Sequence, residues 1–395
     1  MLRYRIFYIL TLSAAFLFYL FFSGYLSFFI LAATVLLPLV SWAITIFAIR
    51  KTDIRVEVES PYANKDDDII FSIVIKNHSI FPVARAELKF CCENCLCGEK
   101  RYETLLLPVS SGPEQTAQYC MRSRFCGKIT VNLTRVKYYD YLGIFAVAQR
   151  PDLHAEVFVA PKVHFLDTQI DTQANSGTES STYSKTKPGD DPSEIFDIRP
   201  FRSGDRLRKI HWKLSSKLDE LMVKEFSLPT DSSVLLLIEL MAPDMAALDA
   251  VVETLASFSQ FLLENEINHH VEWYHAEHQL FQEDTIETDE DLAVLLNTVL
   301  SSKRYQDKSW ALACHNELSN AAREYPHVIY ITGQLSDTLI TFCDQRSGSA
   351  KTTVLYCGQM DESQQKLTST LNSLDIKVVK ISSDRIQESL SGLMI

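Results

Sequence analysis

The sequence predicts a two-helix transmembrane hairpin, an all-β sandwich of immunoglobulin-like type, and a C-terminal α/β domain with a parallel sheet. Three observations carry this. Two uncharged apolar runs occupy residues 6–22 and 26–49. Apolar and polar residues alternate over strand lengths in 53–165, and strands alternate with helices from 233 onward. At 395 residues the chain is long for one domain.

The hairpin comes first, in residues 1–50. "IFYILTLSAAFLFYLFF" and "LSFFILAATVLLPLVSWAITIFAI" are joined by "SGY". A span needs about 20 apolar residues, and lipid admits helices because they satisfy their own backbone. A cleaved signal peptide is the alternative for the first run, but another apolar span follows it where a polar mature chain would begin. Arg3 and Arg5 precede the first run, Arg50, Lys51 and Arg55 follow the second, and the turn has no basic residue. Positive residues stay inside, so the expectation is a cell-membrane protein with two spans, both termini and the soluble domains cytoplasmic. Nine cysteines are expected to be reduced there.

The β-sandwich is read over residues 53–165, from "IRVEVES", "IIFSIVIKN", "VARAELKF", "ITVNLTRVKYY" and "AEVFVAP". "CCENCLC" holds Cys91, Cys92, Cys95 and Cys97, with Cys120 and Cys126 further on. Four thiolates could bind zinc. Against that, neighbouring Cys91 and Cys92 would point to opposite faces of a strand, which favours unligated thiols.

Residues 166–188 read as a flexible linker or loop, because Ser, Thr, Gln and Asn dominate and little could be buried. The α/β domain is read over 227–395. Its helices fall at 245–265 and near 289–301, 335–345 and 362–373, with a last one to about 393. His269, His270, His275 and His278 are interspersed with acids and read as surface, with metal binding the lesser reading. No phosphate-binding glycine loop, zinc-protease pair or serine-hydrolase elbow occurs, so no enzyme and no cofactor is expected.

Residues 189–226 form a basic segment in an acidic protein. Between 199 and 226 there are eight Lys/Arg against four Asp/Glu, whereas 227–395 has ten against twenty-five. "IFDIRPF" reads as a strand and Ser203-Gly204-Asp205 as a turn, with Asp205 capping a helix whose face carries Ile210, Leu214 and Leu218. "ELMVKEF" is a second strand. If the Trp212 ring is buried, Trp212→Ala costs about 3–5 kcal/mol. Bracing through internal ion pairs is one reading of the segment. The others are a contact surface for an acidic partner, inner-leaflet lipid, and an anionic small ligand held by an enzyme or sensor. Nucleic acid is disfavoured by the acidic remainder.

Ile198, Arg199, Phe201, Gly204, Asp205, Arg208, Ile210 and Trp212 fill a pattern that resembles the signature of the domain of unknown function 58 family. "LSSKLDELMVKEF" continues it, and "YYDYLGIFAV" (138–147) is similar to that family's upstream Asp-x-Leu-Gly-Ile/Leu-Phe element. The resemblance implies a von Willebrand A-like C-terminal fold, in a family for which no reaction is established, and the preferred reading is a membrane-tethered, non-catalytic scaffold. It implies partnership with a MoxR-type AAA+ ATPase, sometimes with a transglutaminase-like membrane protein. The residues expected to meet the partner are Arg199, Arg202, Gly204, Asp205, Arg206, Arg208, Lys209, His211, Trp212 and Lys213.

Such domains typically hold a divalent ion through an Asp-x-Ser-x-Ser motif after the first central strand. Here the matching positions are Glu239, Met241 and Pro243, and Thr332 runs into Gly333 without an intervening Asp. Magnesium wants oxygen ligands, so no metal is expected, and Glu239 is left to bond backbone amides of the loop. Titrating magnesium or manganese at millimolar concentration is expected to give no heat and no thermal shift. A saturable shift that Glu239→Ala removes would overturn this.

Overall fold

Backbone groups in an apolar run must bond to one another, and residues Leu2–Phe21 (α1) and Tyr25–Ile49 (α2) do so as helices. The structure is a computed structural model. It describes residues 2–22, 24–166, 183–189, 191–202, 209–218, 220–229, 234–275, 280–304, 325, 327–346, 351–383 and 385–390. The chain divides into two units, Met1–Ala160 and Pro161–Ile395.

In the first unit both helices are long and apolar enough to cross a membrane. The Ser27 hydroxyl fastens their turn by reaching the carbonyls of Phe22 and Gly24. Pro38 lies inside α2 and has no N–H, which leaves the Thr34 carbonyl without its helical donor. The Tyr8 hydroxyl of α1 supplies one at 3.2 Å, so the defect in one helix is repaired by the other.

Nine strands follow: β1 Thr52–Val58, β2 Tyr62–Asn64, β3 Asp68–Asn77, β4 Val83–Asn94, β5 Glu99–Val109, β6 Glu114–Arg122, β7 Gly127–Tyr139, β8 Ala146–Gln149 and β9 His154–Ala160. One sheet runs β1-β3-β6. The other runs β2-β9-β7-β4-β5, with β8 on β7. All pairs are antiparallel except β2 with β9. Inward residues of both sheets, among them Phe71, Ile73, Leu88, Phe90, Val131 and Val136, make one core, and Ala48 and Ile49 at the end of α2 belong to it. In β7 the buried positions are odd up to Leu133 and then shift to Val136 and Tyr138, before Tyr139 ends the strand. Thr134 is the extra residue of a bulge between the Phe90–Leu133 and Lys89–Arg135 pairs, and it shifts the phase so that apolar side chains stay inside. β5 and β6 lie outside the strand list read from the sequence.

In the second unit, Tyr183–Gly189 (β10), Asp191–Pro200 (β11) and Met222–Pro229 (β12) form an antiparallel sheet in the order β10-β12-β11. Part of the stretch expected to be a linker is therefore a strand, held by backbone bonds that its polar side chains do not advertise. The larger sheet runs β15-β14-β13-β16-β17-β18, from Leu280–Ile286, His269–His275, Val234–Glu239, His327–Thr332, Lys351–Tyr356 and Lys377–Lys380 respectively. It is parallel except for the edge pair β14–β15. All six residues of β13 and all six of β16 are buried, as a sheet covered on both faces requires.

The described helices of this unit are α3 Trp212–Leu218, α4 Met245–Glu264, α5 Asp289–Ser301, α6 Asp337–Arg346, α7 Glu362–Ser373 and α8 Ile386–Leu390. α4 is also long and apolar enough to cross a membrane, but most of it is buried inside the protein, so it is a core helix. Asp244, Thr288 and Asp361 cap α4, α5 and α7 by accepting from the third amide of each.

Candidate functional site

The basic segment is organised around the start of β12. On one side Arg199 pairs with Val223, and Phe201 N donates to Leu221 O at 2.8 Å. On the other, Ile210 bridges to the same Val223, and His211 N donates to Met222 O at 2.8 Å. Arg199 and Ile210 thus stand two strand spacings apart, roughly 10 Å.

Helix α3 begins at Trp212, later than the Asp205 start expected from the sequence. Its cap is His211, whose Nδ1 accepts from Leu214 N at 3.1 Å. Ile210, expected on the helix face, is instead buried in the bridge to Val223. Ser215 Oγ accepts from Met222 N at 2.9 Å and ties the helix back to β12. Ile210, His211 and Ser215 therefore brace the start of β12.

Trp212 is 66% exposed, and Lys213 and Arg202 are exposed as well. The large cavity cost reserved for a buried Trp212 does not apply, because truncating an exposed ring leaves no hole. Arg199 and Lys209 are half-buried. Gly204, Asp205, Arg206 and Arg208 lie outside the described residues.

The second candidate is the reversal point of the large sheet. Numbered within the sheet, its strands have the order 3-2-1-4-5-6, and the order reverses between β13 and β16. Open α/β sheets bind ligands at the carboxyl ends of the strands at this point. Here Glu239 ends β13 beside Thr332 of β16. Glu239 is buried and accepts from Thr332 Oγ1 at 2.7 Å and from Tyr330 OH at 3.3 Å. Side-chain hydroxyls thus hold this carboxyl, where the sequence suggested loop amides.

The turns that follow β16 and β17 are tightly packed. A Cβ on Gly333 would lie 2.6 Å from Ala242 Cβ, and one on Gly358 would lie 2.3 Å from Gly333 O. Sequence reasoning found Glu239 but not Tyr330, because a tyrosine inside an apolar run carries no signal of its polar contact.

Among the described residues no group of three or more His, Cys, Asp or Glu could hold a metal. Cys91, Cys92 and Cys97 are buried and Cys95 partly so, and none of the eight described cysteines forms a disulfide. Burial pushes the Cys92 thiol up to about 12, which makes it a poor thiolate ligand. His269 is buried, its Nε2 against Ser259 Oγ at 2.6 Å, and burial holds it down at about 4. His269 and His275 are thus core residues, not the surface positions expected of the histidine group, and His278 lies outside the described residues.

No family model and no curated protein matches the chain. Solved structures share parts of it weakly. A β-glucosidase from Erythrobacter marinus is 8% identical over 28% of this chain and 15% of its own, with a TM-score of 0.21. The CARDB domain of a Pyrococcus furiosus protein, solved in complex with di-metal ions, is 11% identical over 28% of this chain and 89% of its own, with a TM-score of 0.20. The DNA-bound alkylpurine DNA glycosylase AlkC of Pseudomonas fluorescens is 15% identical over 38% of this chain and 41% of its own, with a TM-score of 0.21. Likenesses of this size leave function to be argued from the chain itself.

Burial pushes the Glu239 carboxyl up from 4.5 to about 7, against the opposing pull of its two hydroxyl donors. The folded state keeps this proton where the unfolded state has lost it. Stability from this group is full below the unfolded value and is lost as pH rises through about 7, a swing on the order of 3 kcal/mol. Glu239→Gln keeps an acceptor and cannot titrate. Thermal melts of the full chain from about pH 5 to about pH 8 should show a shallower fall for the variant. Glu272, also pushed up to about 7 by burial and by Glu283, leaves a residual slope of the same sign. Identical slopes would contradict the assignment.

Proposed function

We propose that the protein is a membrane-anchored, non-catalytic interaction protein of the domain of unknown function 58 type, and that it works with a MoxR-type AAA+ ATPase. The exposed Trp212 and Lys213, with exposed Arg202 elsewhere in the same basic segment, carry the reading. A large aromatic ring and a cation facing solvent, at the start of a helix that Ile210, His211 and Ser215 hold to β12, suit a hot spot for an acidic partner. Two helices able to span a bilayer support the anchor. Arg3, Arg5, Arg50, Lys51 and Arg55 at their outer ends support a cytoplasmic placement of both termini and of the soluble units. The 3-2-1-4-5-6 sheet order supports a von Willebrand A-like second unit. Two sheets around one core, antiparallel apart from β2 with β9, support an immunoglobulin-like first unit.

An anionic small ligand is the second reading. Exposure of Trp212 and Lys213 favours a contact surface over a pocket, since pockets enclose their donors. The test is capture of a MoxR-type ATPase on the immobilised full chain in detergent. Trp212→Ala with Lys213→Gln should weaken capture roughly 30-fold or more, as loss of a hot spot does. Stability should move by less than about 0.5 kcal/mol per exposed site. Unchanged capture, or a collapse of the melting temperature, would sink the reading.

A further inference from the structure

The first unit carries a group of apolar side chains that its own core does not use. Two neighbouring loops, residues 79–82 and 140–145, meet the outer ends of α1 and α2. Asp140 is buried, and its carboxylate accepts from Ser41 Oγ of α2 at 3.1 Å and from Phe145 N at 2.8 Å. Tyr141 N donates to Ser41 Oγ at 3.1 Å, and Arg5 Nε of α1 donates to Ile144 O at 3.0 Å. Gly143 has φ +67 and turns its bare face to the Tyr4 ring, where a Cβ would stand 3.3 Å away. The Trp42 and Phe145 rings lie 6.4 Å apart, and Phe47 and Phe81 lie 6.2 Å apart. The Tyr141 hydroxyl donates to Pro82 O and ties the loops together.

These contacts fix the height of the loops along the helices. Arg5 and Ser41 each lie about 24 Å from the hairpin turn at 1.5 Å per residue. The hydrocarbon layer is about 30 Å thick. Phe47, which packs on Phe81, lies about 33 Å from the turn by the same rise, so the contacts of the two loops straddle the edge of the hydrocarbon, where it gives way to headgroups. At that level Ile80 is 82% exposed, and Phe81, Leu142 and Phe145 are exposed too. Arg3, Arg50 and Lys51 lie close to the same helix ends in sequence, as cations among anionic headgroups do.

We infer that the two loops are a lipid-binding surface: Ile80, Phe81, Leu142 and Phe145 enter the boundary layer of a phospholipid bilayer and seat the β unit in the membrane. The inference rests on the reading of α1 and α2 as spans. It gives the "DYLGIF" stretch a physical task. Asp140 fastens the loop to α2, Gly143 lets it pass α1, and Leu142 and Phe145 meet lipid. Continuity with the spans and the matching height single out lipid as the occupant.

The test uses the full chain in vesicles of phosphatidylcholine with a minority of phosphatidylglycerol, both carrying an alkyne tag. Benzoylphenylalanine replaces Ile80, Leu142, Leu17 or Tyr102, one at a time, and lipid adducts are counted after irradiation. All four positions are exposed, so substitution leaves the core intact. Tyr102, 74% exposed, pairs with Cys91, eight residues along β4 from Val83, or about 26 Å from the loops. Leu17 lies on α1 and reports the span itself. The expected result is lipid adduct at positions 80 and 142 within about threefold of position 17 and at least about tenfold above position 102. Adduct at 17 with 80 and 142 no higher than 102 overturns the inference and leaves the spans standing. No adduct at 17 removes the spans and the inference together. Adducts from 80 and 142 only to a second polypeptide also overturn it, because protein then covers the loops.

Discussion

Asp140 joins the apolar hairpin to the folded β unit, and the placement of the whole first unit depends on that bond. A hydroxyl in an apolar helix is costly unless it finds a partner. Ser41 finds both the Asp140 carboxylate and the Tyr141 amide, and Asp140 in turn holds Phe145 N. Ala48 and Ile49 then continue α2 into the β core, so the helix end is gripped by polar bonds and by packing. The same economy repairs α2 at Pro38, where Tyr8 takes the carbonyl that the missing amide leaves open.

The second unit solves a different problem. A sheet buried on both faces has little room for charge, and Glu239 is nevertheless placed at its reversal point. Two hydroxyl donors and a proton make that tolerable near neutral pH. Gly333 and Gly358, just after β16 and β17, sit where a Cβ would clash. Elsewhere in the unit the basic segment divides its labour. Ile210, His211 and Ser215 fix the start of β12, while Trp212 and Lys213 are left to solvent.

Much of this was legible in the sequence where one periodicity dominated. The two apolar runs became α1 and α2, and the helices read at 245–265 and 362–373 ended within a residue of α4 and α7. Less legible were segments whose side chains do not announce their backbone partners. Edge strands β10 and β15 are polar, and β5 and β6 carry charges along faces open to water. The start of α3 at Trp212 was hidden because His211 caps it through a ring nitrogen that composition does not reveal. Trp212 exposed next to buried Ile210 follows from the bridge to Val223, a tertiary contact. The role of Asp140 was equally hidden, because its partner Ser41 lies 99 residues away.

The account stands on the membrane and on the side of it that the β unit faces. The direct measurement is protease added outside intact cells that carry the full chain with a C-terminal epitope. A cytoplasmic β unit, seated beside Arg3, Arg5, Arg50 and Lys51, predicts that residues 53–395 survive as one piece until the membrane is opened with detergent. Digestion of that region in unopened cells would contradict the account.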